Sequence, residues 1–279
     1  MNVGYSYIYD DFLSDRGFER EVAALETKLN TYDLAGRIGR LALFRSPKDL
    51  VEGMVKDGTK TLIIVGNDST LDKVMWFLPD LGITVGYIPL VGPSAIGELF
   101  NIPVGVAACE VITSRLVETI DTGKIDDRYF LTEVSVSATL ATLDVEGRYR
   151  ISPTDGGSLF IRNMAAYVKE PILQNEKSTM GLEAIIAAQS SSRRGFPWKR
   201  RKNDETRIFF NRGTLFSKDP IEAKVDAHVV SGFRFEVESV KRNFRFITGR
   251  GRRLSGVDEP LQTAAKNDTF RSRRKIGMR

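Results

Sequence analysis

The first 130 residues alternate between two kinds of segment. Short runs rich in β-branched and aromatic residues have the length of strands, and each is followed by a stretch with apolar residues at helical spacing. Crossover connections of this kind join parallel strands. The pattern therefore predicts an open parallel sheet with helices on both faces. The predicted strands are 2–8, 38–43, 61–65 and 84–90.

The pattern changes near Tyr129. The residues that follow form short alternating segments, punctuated by residues such as Gly147, Pro153 and Gly232. Such spacing is typical of an antiparallel β domain. The predicted strands in this part of the chain are 131–143, 148–151, 158–161, 182–187, 206–210, 233–240 and 243–247.

The predicted fold class is therefore α/β + β. An N-terminal open parallel α/β sheet domain is followed by an antiparallel β-sandwich-like domain. We expect the first domain over residues 1–130, the second over 131–253, and a basic mobile tail over 254–279, where no periodicity is found.

Charge and cysteine content narrow the class of protein. The chain has 41 Lys and Arg against 36 Asp and Glu, a formal net charge of +5. Acidic residues at Asp10 and Asp11 interrupt the N-terminus where a secretory signal would have its apolar stretch. The single cysteine, Cys109, excludes an internal disulfide and is interpreted as a core residue. We expect a cytoplasmic protein.

The turn after the third predicted strand is the main candidate site. It reads Gly66-Asn67-Asp68-Ser69-Thr70 and opens a segment of helical spacing. Ligands of open parallel sheets sit outside the carboxyl ends of the strands, and backbone N–H groups at a helix N-terminus favour phosphate. Asp68 would repel a bare phosphate, so two roles for its side chain stay open. It caps the helix, or it contacts a Mg²⁺ ion that also bridges phosphates.

This turn resembles the GGDGT signature of the diacylglycerol kinase, sphingosine kinase and bacterial lipid kinase superfamily. In matching order and spacing, Gly86 to Ser94 is similar to the family's GxxPLGTGN turn, and Ile120 to Phe130 is similar to the segment that leads into its β domain. The resemblance implies an ATP-dependent lipid kinase that uses ATP and Mg²⁺, with Asp68 at the metal. The implied nucleotide-binding residues are Gly66, Asn67, Asp68, Ser69, Thr70, Gly92, Pro93 and Ser94.

The resemblance also implies a catalytic base near the end of the β domain. The stretch from Lys224 to His228 best matches the family's Asp-Gly-Glu, whose Asp deprotonates the lipid hydroxyl, and strand-like segments follow it. The rival is Asp258, after which no strand-like segment follows at the right spacing. Asp226 is therefore the predicted catalytic residue, and its structural alternative is a turn residue between strands. His228 could tune this base or contact phosphate.

Departures from the family pattern leave three functions open. Asn67 and Ser69 replace glycines, Pro93 removes an N–H donor, and Ala227 and His228 replace the Gly and Glu after the predicted base. The leading hypothesis is a lipid kinase of the diacylglycerol kinase type. The alternatives are a module that binds nucleotide or lipid without turnover, and an NAD-kinase-like enzyme for a small molecule.

A basic loop carries the predicted membrane contact. Aromatic residues among cations suit the headgroup layer of an anionic bilayer, so we expect peripheral contact with the membrane that holds the lipid substrate. The same composition could bind RNA by stacking and phosphate contacts, or form a solvated loop. The residue pattern indicates no oligomeric state. The loop residues are Arg193, Arg194, Phe196, Trp198, Lys199, Arg200, Arg201 and Lys202.

Overall fold

The computed structural model describes residues 4–42, 46–136, 141–153, 157–167, 181–187 and 205–250. Its first half alternates strands and helices, as the sequence predicts. The strands are β1 (Tyr5–Tyr9), β2 (Arg37–Arg40), β3 (Thr61–Gly66) and β4 (Thr84–Pro89). The α-helices are α1 (Glu19–Thr31), α2 (Pro47–Lys56), α3 (Asp68–Met75), α4 (Ala95–Phe100) and α5 (Ala108–Ser114). Short 3-10 helices cover Asp11–Ser14, Arg16–Phe18, Leu78–Leu81 and Gly105–Ala107.

The four strands of this half are parallel and lie in the order β2-β1-β3-β4. β3 and β4 are buried along their whole length, which explains their nearly unbroken apolar sequences. The chain leaves β1 towards β2 on one side and leaves β3 towards β4 on the other. The carboxyl ends of β1 and β3 therefore flank a switch point, the position at which open α/β sheets bind ligands.

The second half is built mainly of antiparallel strands, as predicted. One long strand over 228–247 replaces the two strands predicted at 233–240 and 243–247, and two strands, 133–136 and 142–145, replace the one predicted at 131–143. The strands at 117–125, 128–130 and 212–225 were not predicted. The elements are β5 (Val117–Ile125), β6 (Arg128–Phe130), β7 (Glu133–Val136), β8 (Thr142–Val145), β9 (Tyr149–Ile151), β10 (Ser158–Asn163), α6 (Met164–Tyr167), β11 (Leu182–Ala187), β12 (Glu205–Phe210), β13 (Arg212–Val225) and β14 (His228–Ile247).

Strand β14 joins the two halves. It pairs with β13 and β5 in antiparallel fashion. Near its C-terminal end it pairs with β4 in parallel, where Arg245 faces Thr84 and Phe246 faces Val85. The described strands thus form one connected mixed sheet. Two separate clusters of buried apolar residues lie on it, one around β1 to β4 and one around β7, β8, β10 and β13. The predicted boundaries at 130 and 253 stay predictions, and residue 253 lies outside the described residues.

Local signals near α2 and α5 are confirmed. The Ser46 side chain accepts a hydrogen bond from the backbone N–H of Asp49 at 3.3 Å, and Pro47 occupies the first helical position. Ser at the N-cap and Pro just after it is the arrangement expected of a helix start.

Cys109 is a buried free cysteine in the N-terminal core, so its interpretation as a core residue is also confirmed.

The stretch Ala95–Ser114 has the length and mean hydropathy of a membrane-crossing helix, 20 residues and 1.5. It does not form one straight helix, because α4 ends where Asn101 adopts a left-handed φ of 52° and α5 begins seven residues later. Phe100, Cys109 and Ile112 pack in the N-terminal core. The apolar character of this stretch is therefore that of two short helices packed on the sheet.

Candidate functional site

The turn after β3 is shaped by a pair of reciprocal hydrogen bonds. The backbone N–H of Thr70 donates to Asn67 Oδ1 and the backbone N–H of Asn67 donates to Thr70 Oγ1, both at 3.0 Å. Asn67 is therefore the N-cap of α3, and the alternative in which Asp68 caps this helix is wrong. A Cβ atom on Gly66 would lie 2.1 Å from Thr70 Oγ1, so this capping box requires glycine at the end of β3.

Beside this turn, the switch point between β1 and β3 holds a partly buried ion pair. Asp10 directly follows β1, and Lys73 lies on the second turn of α3. Lys73 Nζ donates to both oxygens of Asp10, at 2.9 Å and 2.7 Å, and Thr70 Oγ1 donates to Asp10 Oδ2 at 2.7 Å. Asp10 thus connects the end of β1 to the turn after β3.

Asp68 points the other way, towards the turn after β4. Its Oδ1 accepts hydrogen bonds from the hydroxyls of Tyr87, at 2.8 Å, and Ser94. Its Oδ2 accepts from the backbone N–H groups of Ala95, at 2.8 Å, and Ile96, at 3.3 Å. These two N–H groups belong to the first turn of α4, where orphan donors attract a carboxylate. Burial and the neighbouring Asp68 charge raise the pKa of Tyr87, so its hydroxyl stays a donor.

The surroundings of Asp68 bear on the predicted magnesium ion. Four donors use the four lone-pair directions of its carboxylate. This donor set does not fit direct coordination of Mg²⁺, which requires free oxygen lone pairs. Among the described residues, no three His, Cys, Asp or Glu side chains form a group that could hold a metal ion. The assignment of Mg²⁺ to Asp68 stays a prediction.

Of the residues predicted to bind nucleotide in the turn after β4, Ser94 contacts the turn after β3, through its bond to Asp68. Ser94 is buried and also caps α4, because its Oγ accepts from the backbone N–H of Gly97 at 2.8 Å. Gly92, with φ of 73°, and Pro93 are exposed. The backbone N–H of Leu90 donates to the carbonyl of Gly66 at 2.8 Å, which joins the two turns. The predicted nucleotide-binding turns therefore lie side by side.

Asp226 lies at the tip of the hairpin formed by β13 and β14, with a left-handed φ of 48°. Its Oδ1 accepts from the backbone N–H of Thr132 at 2.9 Å, from the Thr132 hydroxyl at 2.5 Å and from the backbone N–H of Glu133 at 3.0 Å. Its Oδ2 accepts from the backbone N–H of Leu131 at 2.7 Å. The hairpin tip is thereby fastened to the segment before β7.

Asp72 connects the hairpin tip to the two turns. It lies four residues after Asp68 on α3 and is 6% exposed. The backbone N–H of Ala227 faces its carboxyl group and lowers its pKa, and His228 Nε2 donates to its backbone carbonyl at 3.2 Å. Burial, followed by the charges of Asp226 and Asp68, raises the pKa of Asp72 to about 8. Its Oδ1 is buried without a hydrogen-bond partner, so the surroundings of Asp72, between the two predicted functional carboxylates, favour its protonated form.

Comparisons with known proteins give matches among solved structures only. No protein-family model and no curated protein matches the chain. A diacylglycerol kinase structure from Bacillus anthracis str. Sterne is 12% identical, with a TM-score of 0.67 over 90% of this chain and 98% of that chain. Two further structures assigned as diacylglycerol kinases of the same strain are also 12% identical, with TM-scores of 0.68. They cover 89% and 90% of this chain and 98% and 99% of their own.

The chain has the fold of these bacterial diacylglycerol kinases. The likeness spans nearly the whole of both chains, so the resemblance read from the sequence is confirmed at the level of the fold. The kinase-like fold includes the mixed sheet and its helices.

Several predicted site residues lie outside the described residues. These are the basic loop from Arg193 to Lys202 and the rival acid Asp258. Conversely, four residues that the sequence analysis did not select contact the site: Asp10, Asp72, Lys73 and Tyr87. Two of them carry a signal in the sequence, because Asp10 directly follows an apolar strand and Asp72 lies one turn after Asp68 on an otherwise apolar face.

Proposed function

We propose that the protein is an ATP-dependent lipid kinase of the diacylglycerol kinase type. ATP would lie along the turns after β3 and β4, against Gly66 to Thr70 and Gly92 to Ser94. The acceptor would be a lipid with a free hydroxyl group. The fold shared with bacterial diacylglycerol kinases supports this class.

One observation carries the proposal: helix α3 contacts both parts that a phosphotransferase needs. Its first turn carries Asp68, which bonds to the turn after β4, and its second turn carries Asp72, which bonds to the hairpin tip beside Asp226. A phosphate donor on the first turn and an acceptor near the tip would therefore be neighbours. Phosphoryl transfer depends mainly on such positioning and on charge neutralisation.

Asp226 would act as the general base through Oδ2. This oxygen accepts one hydrogen bond, whereas Oδ1 accepts three and holds the carboxylate in place. The acceptor hydroxyl would give its proton to Oδ2 while its oxygen bonds to the γ-phosphorus and the bond from that phosphorus to ADP breaks. His228, bonded to α3, would keep the tip next to the nucleotide.

The Mg²⁺ expected of a lipid kinase neutralises phosphate charge when it is bound. Because the Asp68 donor set does not fit direct coordination, we propose that the ion arrives with ATP and is held chiefly by the phosphates and water. The proton transfer and positioning described above depend on the side chains of this chain alone.

A non-catalytic nucleotide- or lipid-binding module is the second candidate. It is favoured by the inward hydrogen bonds of Asp68 and Asp226, which each accept four from the protein. It is also favoured by Pro93, which has no N–H group to offer a phosphate. A protein of this kind would bind ATP or lipid and release it unchanged.

The test is phosphate transfer from radiolabelled ATP. The purified protein is incubated with Mg²⁺ and mixed micelles that contain diacylglycerol, and in a parallel reaction with NAD as the acceptor. Label in the lipid fraction supports the lipid kinase, and label in NADP supports the NAD-kinase-like alternative. ATP binding without transfer to either acceptor supports the binding module.

Two variants make the assay specific for the predicted base. Asp226→Asn should abolish transfer, whereas Asp258→Asn, which changes the rival acid, should leave it intact. Each variant is melted first, because Asp226 also holds the hairpin tip. No ATP binding at millimolar concentration by the wild-type protein would reject both the kinase and the nucleotide-binding module.

We further propose that the lipid is reached by peripheral membrane contact of a cytoplasmic protein through the basic loop. Flotation with anionic and with neutral vesicles tests this, using the full chain and a variant in which the six cations between Arg193 and Lys202 are replaced by serine. Binding to anionic vesicles that the variant loses supports the contact. Tight RNA binding with no flotation contradicts it.

A further inference from the structure

Lys73 is a cation held at the mouth of the switch point. Its side chain is 39% exposed, whereas the side chain of its partner Asp10 is 3% exposed. Both oxygens of Asp10 accept hydrogen bonds from Nζ, and Oδ2 also accepts one from Thr70. The Lys73 side chain is therefore partly open to solvent, while a buried carboxylate that also bonds to Thr70 fixes the position of its ammonium group.

The charges around the site make this cation significant. Asp10, Asp68 and Asp226 would all repel the phosphates of a nucleotide. On the β4 side, the N–H groups of α4 that could offset this repulsion already donate to Asp68, and Pro93 has none. Lys224 acts on Asp72 through space from the hairpin side. In the described part of the chain, Lys73 is the cation bonded to Asp10, whose Oδ2 also accepts from Thr70 of the turn after β3.

Spacing on α3 adds a neighbour to this cation. Ser69 and Lys73 are four residues apart in the helix, so their side chains lie on the same side, one turn apart. Ser69 is exposed. An exposed serine therefore lies one helical turn from the partly exposed side chain of Lys73, which contacts Asp10 at the switch point where ligands of open α/β sheets bind.

We infer that Lys73, together with Ser69, binds the phosphate chain of a nucleoside triphosphate, and that Asp10 is the positioning residue that holds the ammonium there. The inference rests on the proposed function, since it takes the nucleotide to lie on the turn after β3. It deepens that function by naming the group that neutralises phosphate charge. A lysine ammonium is a compact charge with three donors, and its bonds to phosphate are charge-assisted. The site therefore selects phosphorylated nucleotides over nucleosides.

Calorimetric titration of the full chain with ATP and with adenosine tests the assignment. Lys73→Met should weaken ATP binding by about 10-fold or more, the loss expected for a charge-assisted hydrogen bond, and leave adenosine binding unchanged. Lys73→Arg should restore part of the ATP affinity. The matched control is Lys48→Met on α2, because Lys48 is 45% exposed and ion-paired with Glu52 at 3.9 Å. It should bind ATP like the wild type.

A second pair of variants guards against misfolding, because Lys73→Met leaves Asp10 buried without its cation. Asp10→Asn neutralises the buried partner, and the double variant Asp10→Asn with Lys73→Met is neutral at both positions. The double variant should bind ATP about 10-fold more weakly than Asp10→Asn alone. Equal ATP affinity of these two variants would overturn the role of Lys73 while wild-type binding still upholds the proposed function. No ATP binding by the wild type would overturn both.

Discussion

The two sides of the candidate site use carboxylates in opposite ways. On the β1–β3 side, Asp10 pairs with Lys73, whose side chain is partly exposed, and Ser69 is exposed in the turn after β3. On the β4–hairpin side, Asp68 and Asp226 each accept four hydrogen bonds from the protein itself. The first side keeps polar side chains at the surface, whereas the second uses its carboxylate oxygens for contacts inside the protein.

This difference shows that the two sides of the candidate site commit their carboxylates to different kinds of partner. Asp68 satisfies N–H groups of α4, a helix of six residues whose first turn has few other partners. Asp226 does the same for the backbone before β7. Each contact stabilises the fold, and each reduces what the same carboxylate can offer to a metal ion or a substrate. Variants on the two sides should therefore change stability and binding in different proportions.

The largest expected effect belongs to Asp72, at the centre of the β4–hairpin side. In the folded protein its pKa is raised from 3.8 to about 8, so between these values the folded state binds a proton that the unfolded chain has lost. The free energy of unfolding therefore falls as pH rises, by about 1.4 kcal/mol per pH unit at full effect. Asp72→Asn does not titrate, so its stability relative to the wild type should rise steadily between pH 5 and about 8.

Urea unfolding of both proteins across this pH range measures the effect. Asp15→Asn is the control, because Asp15 is exposed and makes no side-chain cap hydrogen bond. The difference between this variant and the wild type is measured at the same pH values and subtracted from that of Asp72→Asn. If the difference between Asp72→Asn and the wild type is then constant, Asp72 is ionised in the folded protein and the β4–hairpin side is more hydrated than its contacts indicate.

On the β1–β3 side, the strongest effect should come from Gly66→Ala. The added Cβ would lie 2.1 Å from Thr70 Oγ1, which must move and give up its bonds to Asp10 and Asn67. We expect a loss of about 3 kcal/mol in the free energy of unfolding. Gly53→Ala is the control, since its Cβ would meet nothing within 4 Å inside α2 and should stabilise by about 1 kcal/mol. Similar melting curves for the two variants would contradict the role of the capping box.

The fold could be predicted from sequence where the signal is local. The β-α period located β1 to β4, and the Ser46-Pro47 pair located the start of α2. β13 was missed because a register shift between Phe216 and Ile221 interrupts its alternation, and β14 was divided in two because another shift lies between Val240 and Phe244. Bulges change which face a side chain occupies, so a strict period of two fails across them.

The positions of the two turns of the candidate site could be predicted from the sequence, but the side-chain contacts between them could not. The turns after β3 and β4 follow apolar strands, so their positions could be read directly. The ion pair of Asp10 with Lys73 joins residues 63 apart in sequence, and no local pattern specifies that distance. The inward bonds of Asp68 and Asp226 likewise depend on tertiary packing, although the residue types at both positions were identified.

Asp226→Asn tests the hairpin contact independently of catalysis. An amide can accept at one atom only, so a backbone N–H among Leu131 to Glu133 would lose its partner and face another N–H group. We expect a loss of about 2 kcal/mol in the free energy of unfolding. Asp127→Asn, at an exposed turn position, should cost nothing measurable. If Asp226→Asn is as stable as the wild type, its carboxylate is not committed to the backbone and the contrast between the two sides weakens.

The smallest effect should come from Ser94→Ala, which separates the cap of α4 from the bond to Asp68. Ser94 Oγ accepts from the Gly97 N–H and donates to Asp68, whereas Ser46 Oγ accepts one cap bond from Asp49. Loss of a cap costs about 1 kcal/mol. Ser94→Ala should therefore destabilise by more than Ser46→Ala, and the excess should vanish in an Asp68→Ala background, which has no side-chain acceptor for Ser94. An excess that persists there would mean that Ser94 acts through the cap alone, and that Asp68 depends on Tyr87 and the α4 backbone for its position.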